Sequence, residues 1–163
     1  MLAQRYPNTY DGIAALSPAI NWDQFIPATA WAQITMSIMG EYPNNCEFRA
    51  LTAAAIATCD QLDGVIDGLI SNPDACEFDP FSMVGQMVNC SSTGTPVTIS
   101  KTAATVANAT WTGPRTANGE FLWYGVNHET PLVAETISEG PTSASCCHIH
   151  TTLGLCICTC LLP

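Results

Sequence analysis

The sequence patterns predict a mixed α/β chain, with one short apolar segment typical of a buried strand and four segments of helical character. Residues 12–16 ("GIAAL") form the apolar run, bounded by Asp11-Gly12 and Ser17-Pro18. The chain has 163 residues, 47% of them hydrophobic, which is enough for one domain with a buried core.

The first helical segments lie on either side of this strand. The opening "MLAQRYP" is typical of the last turn of a helix that Pro7 ends, and we expect the body of that helix to precede Met1. Residues 25–39 are apolar on most faces and are followed by Gly40, so we predict a largely buried helix with a glycine stop.

Two further helices follow. Apolar residues recur at helical spacing from Phe48 to Ile56 and predict a helix that runs into Cys59. Residues 60–80 are rich in Asp, Gly, Pro and Asn and predict an ordered loop. Ser100 is a good cap for a last helix through about residue 111, which Gly113-Pro114 would end. "FLWYGV" (121–126) is either a strand or a packed aromatic segment.

The composition changes after Glu139. Residues 140–163 carry no Asp, Glu, Lys or Arg and hold five of the nine cysteines, without helical or strand periodicity. We therefore predict an aberrant, unstructured tail over residues 142–163. A Cys/His site for zinc or copper(I) is the alternative, although the CC, HxH and CxCxC spacings differ from those of structural zinc sites.

Charge and cysteine usage limit the partners and the compartment. A net charge of −10 with only four Lys and Arg argues against nucleic-acid binding, and no apolar run is long enough to span a membrane. The cysteines spread through the body predict disulfides and an oxidising compartment. The first residues are not those of a signal peptide, so we expect the start of the protein to be missing.

The segment "CDQLDGVIDG" (59–68) crowds Asp60, Asp63 and Asp67 together with no Lys or Arg nearby. Calcium takes about six to eight oxygen ligands, and these carboxylates with the carbonyls of Val65 and Leu69 can supply most of them. An EF-hand is excluded because its twelfth position would be Ser71. A solvated acidic turn is the alternative to a calcium site.

The four body cysteines allow three pairings, and spacing alone does not choose among them. Cys59 and Cys76 bracket the acidic loop, and a bridge there would stabilise the fold by roughly 3 kcal/mol. Cys46 and Cys90 would then form the second bridge. A fixed loop presents its oxygens at lower entropic cost, which favours calcium over the solvated turn.

Several other motifs have a functional and a plain interpretation. "NCSSTGT" (89–95) lacks the glycines of a nucleophile elbow, and we expect no catalysis there. Asn89 and Asn108 begin Asn-x-Ser/Thr sequons, acceptable glycan sites in a secreted protein. His128 is predicted to be packed rather than catalytic. The rings of Trp111, Trp123 and Tyr124 suit either core packing or contact with a phenolic group.

Three segments resemble the tannase and feruloyl esterase family of secreted serine esterases. They are "AQRYPNTYDGIAALSPA" (3–19), "CDQLDGVIDGLISNPDACEFDP" (59–80) and "TWTGPRTANGEFLWYGVNHET" (110–130). The resemblance implies a fragment of an α/β-hydrolase core (residues 1–20) followed by most of a calcium-binding lid domain (21–141). It also implies a Cys59–Cys76 bridge and a calcium ion held by Asp60, Asp63, Asp67 and the carbonyls of Val65 and Leu69.

The activity implied by the resemblance is hydrolysis of phenolic acid esters through a Ser-His-Asp triad. In that family the nucleophile lies just upstream of the segment matching "MLAQRYP", and the Asp and His follow the lid. We therefore expect no catalytic residue in this chain and no esterase activity from it alone. The alternative is a non-catalytic, calcium-stabilised remnant or binding module. The substrate would be a small phenolic ester, and the sequence leaves the oligomeric state open.

Overall fold

The described part of the chain is mainly helical. The computed structural model of the protein describes residues 2–14, 16 and 19–132. The helices are α1 (Leu2–Arg5), α2 (Trp22–Thr29), α3 (Trp31–Met39), α4 (Asn45–Cys59) and α5 (Lys101–Thr112). Short 3-10 helices cover Asp60–Asp63, Pro73–Ala75 and Pro80–Met83. None of the helices in these ranges is long and apolar enough to cross a membrane.

One small antiparallel sheet accompanies the helices. Strand β1 (Met87–Val88) pairs with β2 (Val97–Thr98), with Met87 opposite Thr98 and Val88 opposite Val97. Sequence patterning did not predict these strands, because two residues are too few to show alternation. The predicted tail, residues 142–163, lies outside the described residues.

The strand predicted at residues 12–16 is wrong for the residues the structure describes. Gly12, Ile13 and Ala14 have no regular structure and Leu16 lies in a bend. Ile13 is 67% exposed and Leu16 is 92% exposed. A strand needs a neighbour for its backbone hydrogen bonds, and no described segment pairs with this one.

The single helix predicted for residues 25–39 is also wrong, because the structure has two helices there. Pro27 lies inside α2 and lacks a backbone N–H, and α2 ends at Thr29. Ala30 has non-helical angles between α2 and α3. The glycine stop is confirmed, since Gly40 ends α3 in the left-handed conformation. Only Ala32 and Met36 are fully buried in this segment, so it is less buried than predicted.

The other helix predictions are confirmed. Helix α1 ends two residues before Pro7, and α4 runs into Cys59. Ser100 caps α5, its hydroxyl accepting a hydrogen bond from the N–H of Ala103 at 3.0 Å. The loop from Asp60 is ordered by its 3-10 turns, as predicted.

Helix α5 lies at the centre of the core and contacts both α3 and α4. The buried core residues are Ala32, Met36, Phe48, Leu51, Ala55, Ile99, Ala103, Val106, Ala107, Trp111 and Leu132. Phe48 is 2% exposed and Leu51 is fully buried. Burial of a side chain of this size contributes about 1.5–3 kcal/mol, so these two residues supply much of the apolar stabilisation of α4.

A buried carboxylate joins α4 to α5. Glu47 is 6% exposed, and its Oε1 accepts the N–H of Asn44 at 2.8 Å in a capping box. Its Oε2 accepts the N–H of Ser100 at 2.7 Å, immediately before α5. One side chain therefore satisfies backbone donors at the starts of two helices that are far apart in sequence.

Two disulfides tie α4 to the rest of the chain. Cys46 in its first turn is bonded to Cys90, and Cys59 at its end is bonded to Cys76. The Cα–Cα distances are 5.5 and 5.3 Å. Loops of these lengths correspond to about 4 and 3 kcal/mol of stabilisation in the chain-entropy description.

Two glycines allow the aromatic segment after α5 to approach the end of that helix closely. "FLWYGV" is not a strand, although Arg115 and Phe121 form one isolated bridge. A Cβ atom added to Gly125 would overlap the carbonyl of Trp111, and one added to Gly113 would overlap the backbone of Trp123. The segment therefore lies directly on the end of α5.

We expect Gly125→Ala to lower the free energy of unfolding by about 3 kcal/mol or more. Overpacking costs about 1–3 kcal/mol where neighbouring side chains can shift, and here the neighbouring atoms belong to the backbone of α5, which cannot shift as easily. Urea unfolding followed by circular dichroism measures this. Gly12→Ala is the control, since no atom lies within 4 Å of the added Cβ. Equal unfolding midpoints for the two variants would show that the close contact does not exist.

Candidate functional site

The acidic loop begins where α4 ends. Cys59 is 1% exposed, and its bridge to Cys76 closes the loop at its base. Gly64 and Gly68 have positive φ angles of 90° and 83°, which side chains other than glycine rarely adopt. The loop therefore curls twice within a short span, and the second curl lies close to the start of the loop.

Asp60 holds this second curl in place. It is 8% exposed, and its Oδ1 accepts the N–H groups of Asp67 at 3.2 Å and Gly68 at 3.1 Å. Its Oδ2 also lies 3.1 Å from the Gly68 nitrogen. The carboxylate predicted to be a metal ligand is thus the internal anchor of the loop.

Asp63 and Asp67 repeat one local arrangement on the outside of the loop. Asp63 Oδ1 accepts the N–H of Val65 at 2.8 Å, and Asp67 Oδ1 accepts the N–H of Leu69 at 3.1 Å. The bond from Val65, with a further one from Ser71, lowers the pKa of Asp63 below its ordinary value of 3.8. The carboxylate is therefore ionised at neutral pH.

The acidic loop carries oxygen donors of the kind that calcium binds. It offers three carboxylates, and no hydrogen bond within the described residues reaches the carbonyl oxygens of Val65 or Leu69. Each carboxylate accepts hydrogen bonds from backbone N–H groups of the loop. Within the described residues, no three Asp, Glu, His or Cys side chains lie together in a group that could hold a metal ion. The loop therefore has the types of oxygen donor that calcium prefers, but its carboxylates are hydrogen-bonded to its own backbone.

His128 and the serines near Cys90 do not form a catalytic pair. The His128 ring lies over Trp111, with ring centroids 4.8 Å apart. Burial lowers its pKa below 6.5, and Glu129 partly offsets that effect. Cys90 is in a disulfide, and the hydroxyl of Ser92 lies 3.1 Å from its sulfur. No hydroxyl or thiol in the described ranges bonds to His128.

Four rings form a continuous chain of edge-to-face contacts on the surface. Phe25 contacts Trp123 at 6.4 Å between ring centroids, Trp123 contacts Tyr124 at 5.9 Å, and Tyr124 contacts Phe121 at 5.0 Å. The Arg115 guanidinium lies 5.1 Å from the Phe121 ring centre. Tyr124 is 73% exposed. We call this feature the aromatic edge. Trp111, by contrast, is 8% exposed and belongs to the core.

A cleft of about 550 Å³ lies against α4 and was not anticipated from the sequence. Its lining residues are Arg49, Thr52, Ala53, Ile56, Glu129, Pro131 and Leu132. Thr52 Oγ1 and Glu129 Oε2 are buried and have no hydrogen-bond partner among the residues that the structure describes. Arg49 and Thr52 belong to α4, whereas Glu129 belongs to a turn that is remote from α4 in sequence. No sequence motif includes all three residues, so the cleft could not be predicted from local patterns.

Comparisons with known proteins point to one family. A sequence profile described as "Tannase and feruloyl esterase" matches residues 1–152. A "Probable feruloyl esterase" of Arthroderma benhamiae is 45% identical over 121 residues, covering 74% of this chain and 22% of that protein.

Two solved structures share the fold. Tannin acyl hydrolase from Aspergillus niger superposes with a TM-score of 0.68 at 23% identity, over 80% of this chain and 25% of that one. Feruloyl esterase B from Aspergillus oryzae gives a TM-score of 0.59 at 25% identity, over 80% and 26%. The chain thus spans about a quarter of the length of the proteins it matches.

We expect the protein to lose stability as the pH falls below 6.5, in part through His128. Because its folded pKa is lowered, the unfolded chain binds a proton in this range that the folded chain does not, so the free energy of unfolding decreases. His128→Phe keeps a ring beside Trp111 and should flatten this dependence in urea titrations at several pH values. Asn118→Ala, at an exposed position, leaves both the imidazole and Glu129 unchanged and should not. Identical pH profiles for the two variants would contradict a lowered pKa for the half-buried His128.

Proposed function

Because this chain belongs to the tannase and feruloyl esterase family, we propose that it is the lid segment of a carboxylic ester hydrolase. The observation that carries the proposal is the family match over residues 1–152. The helical architecture of the described part supports a covering role, since helices α3, α4 and α5 share a core of their own. The remainder of the enzyme would be an α/β-hydrolase core.

The chemistry we propose for the whole enzyme is acyl transfer to a serine. The serine oxygen attacks the ester carbonyl, a histidine takes the serine proton and returns it to the leaving alcohol, and an aspartate orients the histidine. Backbone N–H groups hold the negative charge on the tetrahedral intermediate. This chain would contribute none of the three residues, which accords with the position of His128 against Trp111.

The substrates we propose are esters of phenolic acids. The names of the relatives specify feruloyl and tannin acyl groups, both of which carry phenolic rings. The aromatic edge supports this choice, because exposed rings such as Tyr124 can contact a planar acyl group face-on or edge-on. Trp111 is assigned to packing, because it lies in the core.

We further propose that the acidic loop holds one structural calcium ion. The ligands would be the carboxylates of Asp60, Asp63 and Asp67 and the carbonyls of Val65 and Leu69. The concentration of negative charge supports this, as does the disulfide that fixes the loop at its base. When bound, the ion supplies charge neutralisation and a rigid loop and takes no part in ester cleavage.

The two disulfides also support secretion, because such bonds persist in oxidising compartments. The second candidate function is a non-catalytic, calcium-stabilised binding module. It is favoured by one observation, namely that α3, α4 and α5 form a core without a catalytic pair among the described side chains. A Cys/His metal-binding protein would depend on residues outside the described ranges.

Calcium is expected to bind the purified chain and to raise its melting temperature. The double variant Asp63→Asn/Asp67→Asn should abolish heat release in calorimetric titration, because it removes two charges while each side chain keeps an oxygen that can accept its N–H bond. The matched control is Asp74→Asn/Asp79→Asn, which removes two neighbouring charges outside the ligand set. Equal binding by both double variants, or none by the original chain, would refute the site.

The chain alone should not hydrolyse methyl ferulate, since it would lack the nucleophile. To distinguish a lid from a binding module, residues 20–132 can replace the corresponding segment of Aspergillus oryzae feruloyl esterase B. A working lid should leave measurable turnover in this chimera and change KM more than kcat. Turnover by the isolated chain that Ser91→Ala removes would overturn the lid assignment. A folded but inactive chimera would favour the binding module.

A further inference from the structure

Two Asn-x-Ser/Thr sequons occur in the body of the chain, and the structure places them in contrasting environments. We propose that Asn89 carries an N-linked glycan, that Asn108 does not, and that glycan transfer to Asn89 competes with closure of the Cys46–Cys90 disulfide. The modification is separate from ester hydrolysis. It rests only on the part of the proposed function that sends the chain through a secretory pathway.

Asn89 is open to solvent. It follows β1 directly, has no regular secondary structure and is exposed. No hydrogen bond engages its side chain within the part of the chain that the structure describes. The folded protein can therefore accommodate a bulky glycan at this position without losing a packing contact or a hydrogen bond.

Asn108 lies in the middle of α5. It is half-buried, and its neighbour Ala107 is fully buried in the core. Its carbonyl accepts a hydrogen bond from the Thr112 hydroxyl at 2.8 Å, within the same helix. Because Asn108 is half-buried in a helix that contacts both α3 and α4, a branched glycan on it would conflict with the packing of the core. A chain modified at Asn108 before folding would therefore not reach the folded, secreted state.

The middle residue of the first sequon is itself a disulfide partner. Cys90 is 4% exposed and is bonded to Cys46, and its carbonyl accepts the N–H of Gly94 at 3.1 Å. Once the bridge has closed, the backbone of the sequon is fixed on both sides of a buried residue. Transfer therefore has to occur while Cys90 is still reduced and the segment is extended.

The transfer is balanced with a polyprenyl-pyrophosphate-linked oligosaccharide as co-substrate. A bond forms between Nδ2 of Asn89 and the first sugar carbon, and the bond from that carbon to the pyrophosphate breaks. The amide loses one proton, and the polyprenyl pyrophosphate leaves. Nothing is oxidised or reduced in this step, whereas closure of the disulfide is a separate two-electron oxidation.

The test is expression of the full chain behind a secretion leader in yeast. Occupancy at Asn89 is measured on pulse-labelled chains isolated from the whole cell, so that variants that fold poorly are still counted, and occupancy at Asn108 is measured on the secreted protein collected from the medium. Peptide N-glycosidase treatment in heavy-oxygen water then marks each occupied asparagine for mass spectrometry. We expect partial occupancy at Asn89, none at Asn108 in the secreted protein, and loss of the signal at Asn89 in Ser91→Ala.

Two matched cysteine variants test the competition. Cys46→Ser prevents the bridge to Cys90 and should raise occupancy at Asn89 towards completion. Cys59→Ser breaks the other bridge by the same chemical change and should leave occupancy unaltered. An unoccupied Asn89 in both the original chain and Cys46→Ser, a glycan at Asn108 in the secreted protein, or an equal rise in Cys59→Ser would each overturn the proposal. None of these results bears on ester hydrolysis, which the experiment does not measure.

Discussion

The architecture depends on the buried carboxylate of Glu47. Its two oxygens satisfy backbone donors at Asn44 and Ser100, and so fix the starts of α4 and α5 relative to each other. Hydrogen bonds to charged groups contribute about 1.5–3 kcal/mol each, and a buried donor left without its acceptor costs about as much. The apolar contacts of Phe48 and Leu51 make the core stable, whereas Glu47 determines which turn of α4 faces the start of α5.

The position of the acidic loop depends on the packing of α4 against α5, because the loop begins where α4 ends. It leaves the last residue of α4, is closed by the Cys59–Cys76 bridge and is folded over the carboxylate of Asp60. The aromatic edge is placed differently, through the close approach of Gly113 and Gly125 at the end of α5. Both features thus belong to surfaces that helices α4 and α5 organise.

Sequence reasoning succeeded where short-range signals determine the structure. The Ser100 cap, the Gly40 stop and the periodic apolar face of α4 lie within the segments that they specify. It failed at residues 12–16, where the apolar run has no strand to pair with among the described residues, and at Ala30, where the backbone leaves helical angles between α2 and α3.

Only some of the contacts of the candidate site could be predicted from the sequence. The disulfide at Cys59 and Cys76 and the crowding of Asp60, Asp63 and Asp67 were visible as spacing along the chain. The contact of Glu47 with Ser100 was not, because the two residues are remote in sequence and their contact depends on how two helices pack.

Covalent attachment of α4 at both ends has a mechanical result. The helix serves as a common reference frame, so that loosening of the apolar interior would not separate the acidic loop from the hairpin near Cys90.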